Sequence, residues 1–196
     1  MLVFDHLALS AQGLDEGVAH VEAALGVRLA GPVHSSNNQF SDSATDTPRW
    51  NGLSPLGQRW VQEMNRLGIV IDASHASDAA FDQLLALSKT PILLSHSGSR
   101  EVFDHPRNLN DDRIRKLAAA GGVICATSVY LAPMNFSERR GDLFARMDRI
   151  GSLNPEEQAV LIKDAIELDR EEPLQSADFE TYMNGLLHLI EIAGVD

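Results

Sequence analysis

Apolar and polar positions follow two different periods along this chain, and the switches between them mark the elements. Leu2 to Leu9 has the composition of a strand, and Leu14 to Leu25 sets Val18, Val21, Ala24 and Leu25 at helical spacing before Gly26. His34 to Asn51, HSSNNQFSDSATDTPRWN, is too rich in Ser, Asn, Asp and Thr for a helix and reads as a long loop. Inside a compact domain such a loop is a functional segment or a junction. From there the rhythm is regular. Ser54-Pro55 offers an N-cap followed by proline at the first helical position, and Leu56, Trp60, Val61, Met64 and Leu67 form one apolar stripe that Gly68 ends. Gly68 to Ala73 is a β-branched run suited to a buried parallel strand. Asp78 to Leu87 is amphipathic with Phe81, Leu84, Leu85 and Leu87 inward, and Pro91 to Ser95 is the next strand. Asn110 caps a helix through Ala120, Gly121-Gly122 ends it, and Val123 to Tyr130 is a further strand. Asn154 to Asp169 and Ser176 to Ile192 read as two helices, after which Gly194-Val195-Asp196 reads as the approach to another strand.

Strands alternating with helices predict an α/β fold with a parallel sheet. The strings Ile71-Asp72-Ala73-Ser74-His75 and Leu93-Leu94-Ser95-His96 each place a histidine just after an apolar run, and the two histidines are 21 residues apart. That spacing is one strand-helix-strand period. Both imidazoles then emerge at the carboxyl edge of the sheet, on strands about 4.8 Å apart, where they can reach one metal ion or one substrate. A (β/α) barrel keeps its chemistry at that edge. A closed barrel needs eight strands and typically about 250 residues; the pattern supplies about five, so the expected fold is a partial TIM-type barrel with an open, incompletely covered sheet.

Composition narrows the partners. The formal net charge of -12 disfavours nucleic acid and anionic membrane, both of which would repel the chain, and Lys and Arg do not cluster with aromatics. No run approaches the eighteen or so apolar residues of a membrane span, and Met1 to Ser10 lacks a basic start followed by a long apolar stretch, so a cytoplasmic protein is expected. The single Cys125, inside Gly122-Val123-Ile124-Cys125-Ala126, reads as a small buried residue. His105 and His188 read as ordinary polar residues, as do His6 and His20.

The ordered motifs HSSNNQFSDS from His34, WNGLSPLG from Trp50, the two Ser-His strings and His105-Pro106-Arg107-Asn108-Leu109 together resemble the middle of the zinc-dependent membrane (renal) dipeptidase family, from about residue 33 to residue 196. The resemblance implies an eight-stranded (β/α) barrel and hydrolysis of dipeptides at a dinuclear zinc centre. It implies that His75 and His96 hold one zinc, that His34 contacts the substrate and steadies the tetrahedral intermediate, and that Arg107 grips the terminal carboxylate of the dipeptide. Two zinc ions would generate a hydroxide near neutral pH and polarise the peptide carbonyl.

Three family features have no match: the His-x-Asp of the first strand, the bridging glutamate before the equivalent of His34, and a late catalytic aspartate. Phe4-Asp5-His6 has His and Asp in the wrong order. At most one partial zinc site is therefore expected, with activity impaired or absent. Residues 1–31 instead resemble the opening βα unit of a glyoxalase-like domain of the vicinal oxygen chelate group, carried by Asp5-His6-Leu7-Ala8-Leu9 and the helix after it. The expected organisation is thus a short unrelated βα unit at 1–31 and a partial dipeptidase-type barrel at 33–196. A glyoxalase-like metal-dependent lyase or dioxygenase, or a non-catalytic fragment that self-associates through exposed sheet edges, are the alternatives.

Overall fold

The computed structural model describes residues 28–175 and 177–195. Four short strands run parallel: β1 (Leu29–Ala30), β2 (Val70–Ile71), β3 (Leu93–Ser97) and β4 (Val123–Ala126). β1 pairs with β2, placing Leu29 opposite Val70, and β3 pairs with β4, placing Leu93 opposite Val123. A parallel bridge between Asp72 and Leu93 joins the two pairs, and the Ala73 N–H donates to the Leu93 carbonyl at 2.8 Å. Spatial order therefore equals chain order. The helices α1 (Pro55–Leu67), α2 (Asp78–Leu87) and α3 (Asp111–Ala119) fill the three crossovers, as a parallel sheet requires. This is the α/β architecture that the alternating pattern predicts.

Each of these helices starts where the sequence signals it. Ser54 accepts from the Gly57 N–H, Ser77 from the Ala80 N–H and Asn110 from the Arg113 N–H, each satisfying a donor that the first turn leaves unpaired. α1 ends at Gly68, whose φ of 69° is left-handed and suits a residue without a Cβ. That cap explains why β2 is shorter than the expected Gly68 to Ala73: Gly68 closes the helix, and only Val70 and Ile71 pair with β1. β4 likewise stops at Ala126 rather than Tyr130, because the chain turns away and Tyr130 takes a φ of 61°.

One buried cluster unites the crossover helices with the sheet. Trp60, Val61 and Met64 of α1 meet Phe81 and Leu84 of α2, Ile71, Ile92 and Leu94 of the strand region, and Ile114 and Leu117 of α3. α6 (Phe179–Ala193) packs back on α3 and adds Leu189 to this core. A second, smaller cluster of Leu143, Leu161 and Leu168 joins α4 (Glu138–Met147) to α5 (Pro155–Glu171). α5 and α6 were legible as helices; α4 was not, because Leu143 and Arg140 are its only buried residues.

One expectation changes. Cys125 is exposed rather than buried. It lies on β4, an edge strand among the described residues, where Val123 and Cys125 share the uncovered side. The strand and helix expected before Gly26, with His6 and His20, lie outside the described residues.

Candidate functional site

The carboxyl ends of β1, β2 and β3 bring three histidines together. His34 follows β1 by four residues, His75 follows β2 by four, and His96 lies within β3. The His34 and His75 rings stack with centroids 4.0 Å apart, and His75 meets His96 edge-on at 5.0 Å. Nε2 of His75 and Nε2 of His96 approach to 3.1 Å. His75 is buried, His96 half-buried and His34 exposed.

The long polar loop holds this arrangement by bonding to itself and to the β2 end. Ser43 Oγ donates to the His34 carbonyl at 2.7 Å, and the Ala44 N–H donates to the His75 carbonyl at 2.9 Å. Asp42 is fully buried and accepts from the backbone N–H groups of Arg49, Trp50 and Gly52. Burial works to raise its pKa, but these backbone donors outweigh it and hold the carboxyl below its usual value. A polar composition here therefore means a loop that satisfies its own backbone, not one loose in solvent.

Behind the histidines, Asp72 ties β2 to β3. Its Oδ1 accepts from the Ser74 hydroxyl at 2.5 Å and from the Ser74 and Ser95 N–H groups at 3.0 and 3.2 Å. Its Oδ2 accepts from the Ser95 hydroxyl at 2.5 Å. Burial pushes the Asp72 pKa up, and the hydrogen bonds from Ser74 and Ser95 overcome that push and lower it. Ser95 Oγ also lies 2.8 Å from His96 Nδ1.

Arg107 reaches the same edge from the loop after β3. It is 4 % exposed, and its Nε donates to the Ser74 carbonyl at 2.9 Å, directly beside His75. Ser97 Oγ donates to the Arg107 carbonyl, and Arg100 in the same loop forms a two-pronged pair with Asp78 at 2.7 and 2.8 Å, so loop and guanidinium are anchored to β3 and α2. The guanidinium carbon sits 5.2 Å above the Tyr130 ring, and the His105 ring stacks on that same tyrosine with centroids 4.3 Å apart. Burial, followed by the positive charges of Arg107 and Arg100, pushes the His105 pKa down, and its Nδ1 accepts from the Arg107 backbone N–H at 3.2 Å. Arg107 Nη2 is buried without a hydrogen-bond partner in the protein.

All four residues singled out from sequence thus reach one edge of the sheet. Asp72, Ser95 and Tyr130 were missed as participants. The first two stand inside the very strings that flagged the histidines; Tyr130 carried no local signal, and Asn108 Nδ2 holds its left-handed backbone by donating to its carbonyl at 2.9 Å. Two nitrogens about 2.0–2.1 Å from one tetrahedral ion lie about 3.3 Å apart. The 3.1 Å between the two Nε2 atoms fits that requirement. Among the described residues no group of three or more His, Cys, Asp or Glu side chains is arranged to hold a metal ion.

The chain has counterparts among known proteins. The profile of the membrane dipeptidase family (Peptidase family M19) matches residues 10–196, and so runs across the boundary near residue 31. An uncharacterized dipeptidase of Schizosaccharomyces pombe is 45% identical over 101 residues, which is 51% of this chain and 25% of that protein. Dipeptidase 3 of Mus musculus is 38% identical over 108 residues, covering 53% of this chain and 22% of its own length. Among solved structures, a probable dipeptidase from Pseudomonas aeruginosa superposes with a TM-score of 0.67 at 29% identity, covering 90% of this chain and 50% of that one. A metallo peptidase from Rhodobacter sphaeroides, solved with a phosphinate mimic of a dipeptide, superposes with a TM-score of 0.65 at 24% identity over 93% of this chain and 44% of its own, a likeness of fold. The chain spans about a quarter of these curated relatives and about half of these structures. By that match over nearly its whole length, the chain belongs to the membrane dipeptidase family, Peptidase family M19.

Proposed function

We propose that this chain carries the substrate-facing half of a zinc-dependent dipeptidase site on part of a (β/α) barrel, with His75 and His96 as ligands of one zinc ion. The observation that carries it is the 3.1 Å approach of the two Nε2 atoms at the ends of adjacent parallel strands. When bound, zinc supplies a Lewis acid for the peptide carbonyl and an activated water. The protein's own contributions are separate. His34, stacked on His75 and exposed, contacts the substrate beside the metal ligands. Arg107, its Nε held by the Ser74 carbonyl and its Nη1 3.4 Å from the Tyr130 hydroxyl, keeps Nη2 for the terminal carboxylate of a dipeptide. Its burial strengthens the contact, because water competes less for a guanidinium at 4 % exposure.

Among the described residues the two imidazoles are fewer than the three protein ligands typical of a catalytic zinc, so weak zinc binding and negligible dipeptide turnover are expected. Calorimetric zinc titration and a dipeptide hydrolysis assay test both halves of this reading. Weak zinc binding abolished by either His75→Ala or His96→Ala is expected. Zinc binding indifferent to both substitutions overturns the metal centre, and robust turnover lost in either variant shows that other groups complete the site.

A further inference from the structure

The hydrogen bonds behind His96 decide which of its nitrogens carries the proton. Ser95 Oγ lies 2.5 Å from Asp72 Oδ2 and 2.8 Å from His96 Nδ1, and a hydroxyl has one proton to give. Asp72 already draws the Ser74 hydroxyl at 2.5 Å and two backbone N–H groups at 3.0 and 3.2 Å. With the Ser95 hydroxyl, four donors converge on one carboxylate. That is the environment of an ionised group, which accepts and has no proton to return. The Ser95 hydrogen therefore points at Asp72, and a lone pair of its oxygen faces His96 Nδ1. For that 2.8 Å contact to be a hydrogen bond, Nδ1 must be the donor. The same accounting holds for Ser74: its proton goes to Asp72 Oδ1, and its oxygen accepts from the His96 backbone N–H at 3.2 Å. With both hydroxyl protons committed to the carboxylate, the 3.2 Å approach of the two serine oxygens is a consequence of sharing one acceptor.

We propose that Asp72 and Ser95 are positioning residues that hold His96 in its Nδ1–H form and so direct its Nε2 lone pair toward His75. The proposal rests on the zinc-site reading for its purpose, but not for its geometry. A neutral imidazole protonated on Nδ1 has its lone pair on Nε2, the form that can ligate a metal through that atom. In the metal-free chain the His75 Nε2–H then donates to His96 Nε2 across the 3.1 Å gap. The two ligands are unequal: His96 is already in its binding form, whereas His75 must move its ring proton from Nε2 to Nδ1 before it can bind. Histidine ligands held by such an outer partner lose about 10- to 100-fold in metal affinity when the partner is removed.

Long-range 1H–15N correlation NMR of the metal-free chain at about pH 8, above the ordinary histidine pKa of ~6.5, reads each tautomer directly. His96 signals are assigned by their loss in His96→Ala. The expected wild-type result is a protonated Nδ1 and a bare Nε2 for His96, with the opposite pattern for His75. Ser95→Ala should lose the His96 preference, and Ser95→Thr, which keeps the hydroxyl, should restore it. A protonated Nε2 on wild-type His96, or a wild-type pattern in folded Ser95→Ala, overturns the proposal. Should Ser95→Ala not fold, the wild-type spectrum alone still decides. Zinc titration of the same samples separates the two readings. A correct His96 tautomer without zinc binding leaves this assignment standing and removes the zinc site; zinc binding through His75 and His96 with the wrong tautomer does the reverse. With both intact, Ser95→Ala should bind zinc about 10- to 100-fold more weakly than wild type.

Discussion

Asp42 and Asp72 are carboxylates held by donors that only the fold can supply, and both therefore make stability depend on pH. Burial raises each pKa and hydrogen bonds more than offset it, so the folded values lie below the unfolded value near 3.8. A depressed folded pKa means stability that is fully present above the unfolded pKa and lost as the pH falls through the folded one. Thermal melts of wild type should hold from pH 7 to about 5 and fall steeply below about 4. Asp42→Asn and Asp72→Asn should melt lower than wild type at pH 7, with the gap narrowing by pH 3; a constant gap across that range would mean that neither charge is linked to folding. At the same scale, Arg107 offers a ligand-linked test. A dipeptide at 100 times its Kd should stabilise the folded chain by about 2.7 kcal/mol, and Arg107→Met should abolish the thermal shift. An equal shift in that variant would remove Arg107 from the binding site.

Element packing sets where the loop and α1 can lie. Ser54 Oγ accepts from the Gly57 N–H at 3.0 Å and donates to the Gln39 carbonyl at 2.6 Å, so one buried side chain caps α1 and fastens the polar loop to it. Ser54→Ala should cost about 1–2 kcal/mol, the usual worth of a cap plus a buried carbonyl left unpaired. Gly57, one turn on, makes the loop fit against the helix: a Cβ there would lie 2.0 Å from the Phe40 carbonyl oxygen. Gly57→Ala should therefore destabilise more than Ser54→Ala, although alanine is the better helix former, because the obstacle is backbone that cannot rotate away. Urea unfolding of both variants measures the order, and a Gly57→Ala variant as stable as wild type would show that the loop yields.

For the whole molecule, the described sheet ends in edge strands, and apolar side chains remain in water. Val123 on β4 is 55% exposed, and Phe179 and Leu187 on α6 are 76% and 55% exposed. Edges and patches of this kind favour self-association, while the net charge of -12 opposes it. Salt screens the repulsion over a length of about 10 Å at 0.1 M and about 3 Å at 1 M without weakening apolar contact. Sedimentation velocity at high micromolar concentration should thus show association that grows between about 0.05 and 0.5 M salt. Monomers at both, with one cooperative melt, would show that the exposed surface is tolerated. Among the described residues no helix is long and apolar enough to cross a membrane.

Local chemistry settled much of this molecule before any contact was known. The caps Ser54, Ser77 and Asn110 and the stop at Gly68 act within one helical turn, so the bounds of α1, α2 and α3 were legible from sequence. The 21-residue spacing of His75 and His96 was equally local in origin: one βα unit returns the chain to the same sheet edge, and parallel pairing then makes the two rings neighbours. Other features depend on partners distant in sequence. Cys125 is exposed because no described element covers its side of β4, and α4 docks through a buried Arg140 paired with Asp169, a contact that no apolar period announces. The roles of Asp72, Ser95 and Tyr130 were invisible for the same reason. A carboxylate becomes a fixed acceptor, and a serine a director of its neighbour's proton, only when two strands bring their donors within hydrogen-bond distance. Sequence therefore determined which residues could meet at the carboxyl edge, and the tertiary structure decided which protons and charges they hold there, because burial and hydrogen-bond geometry exist only once the chain has folded.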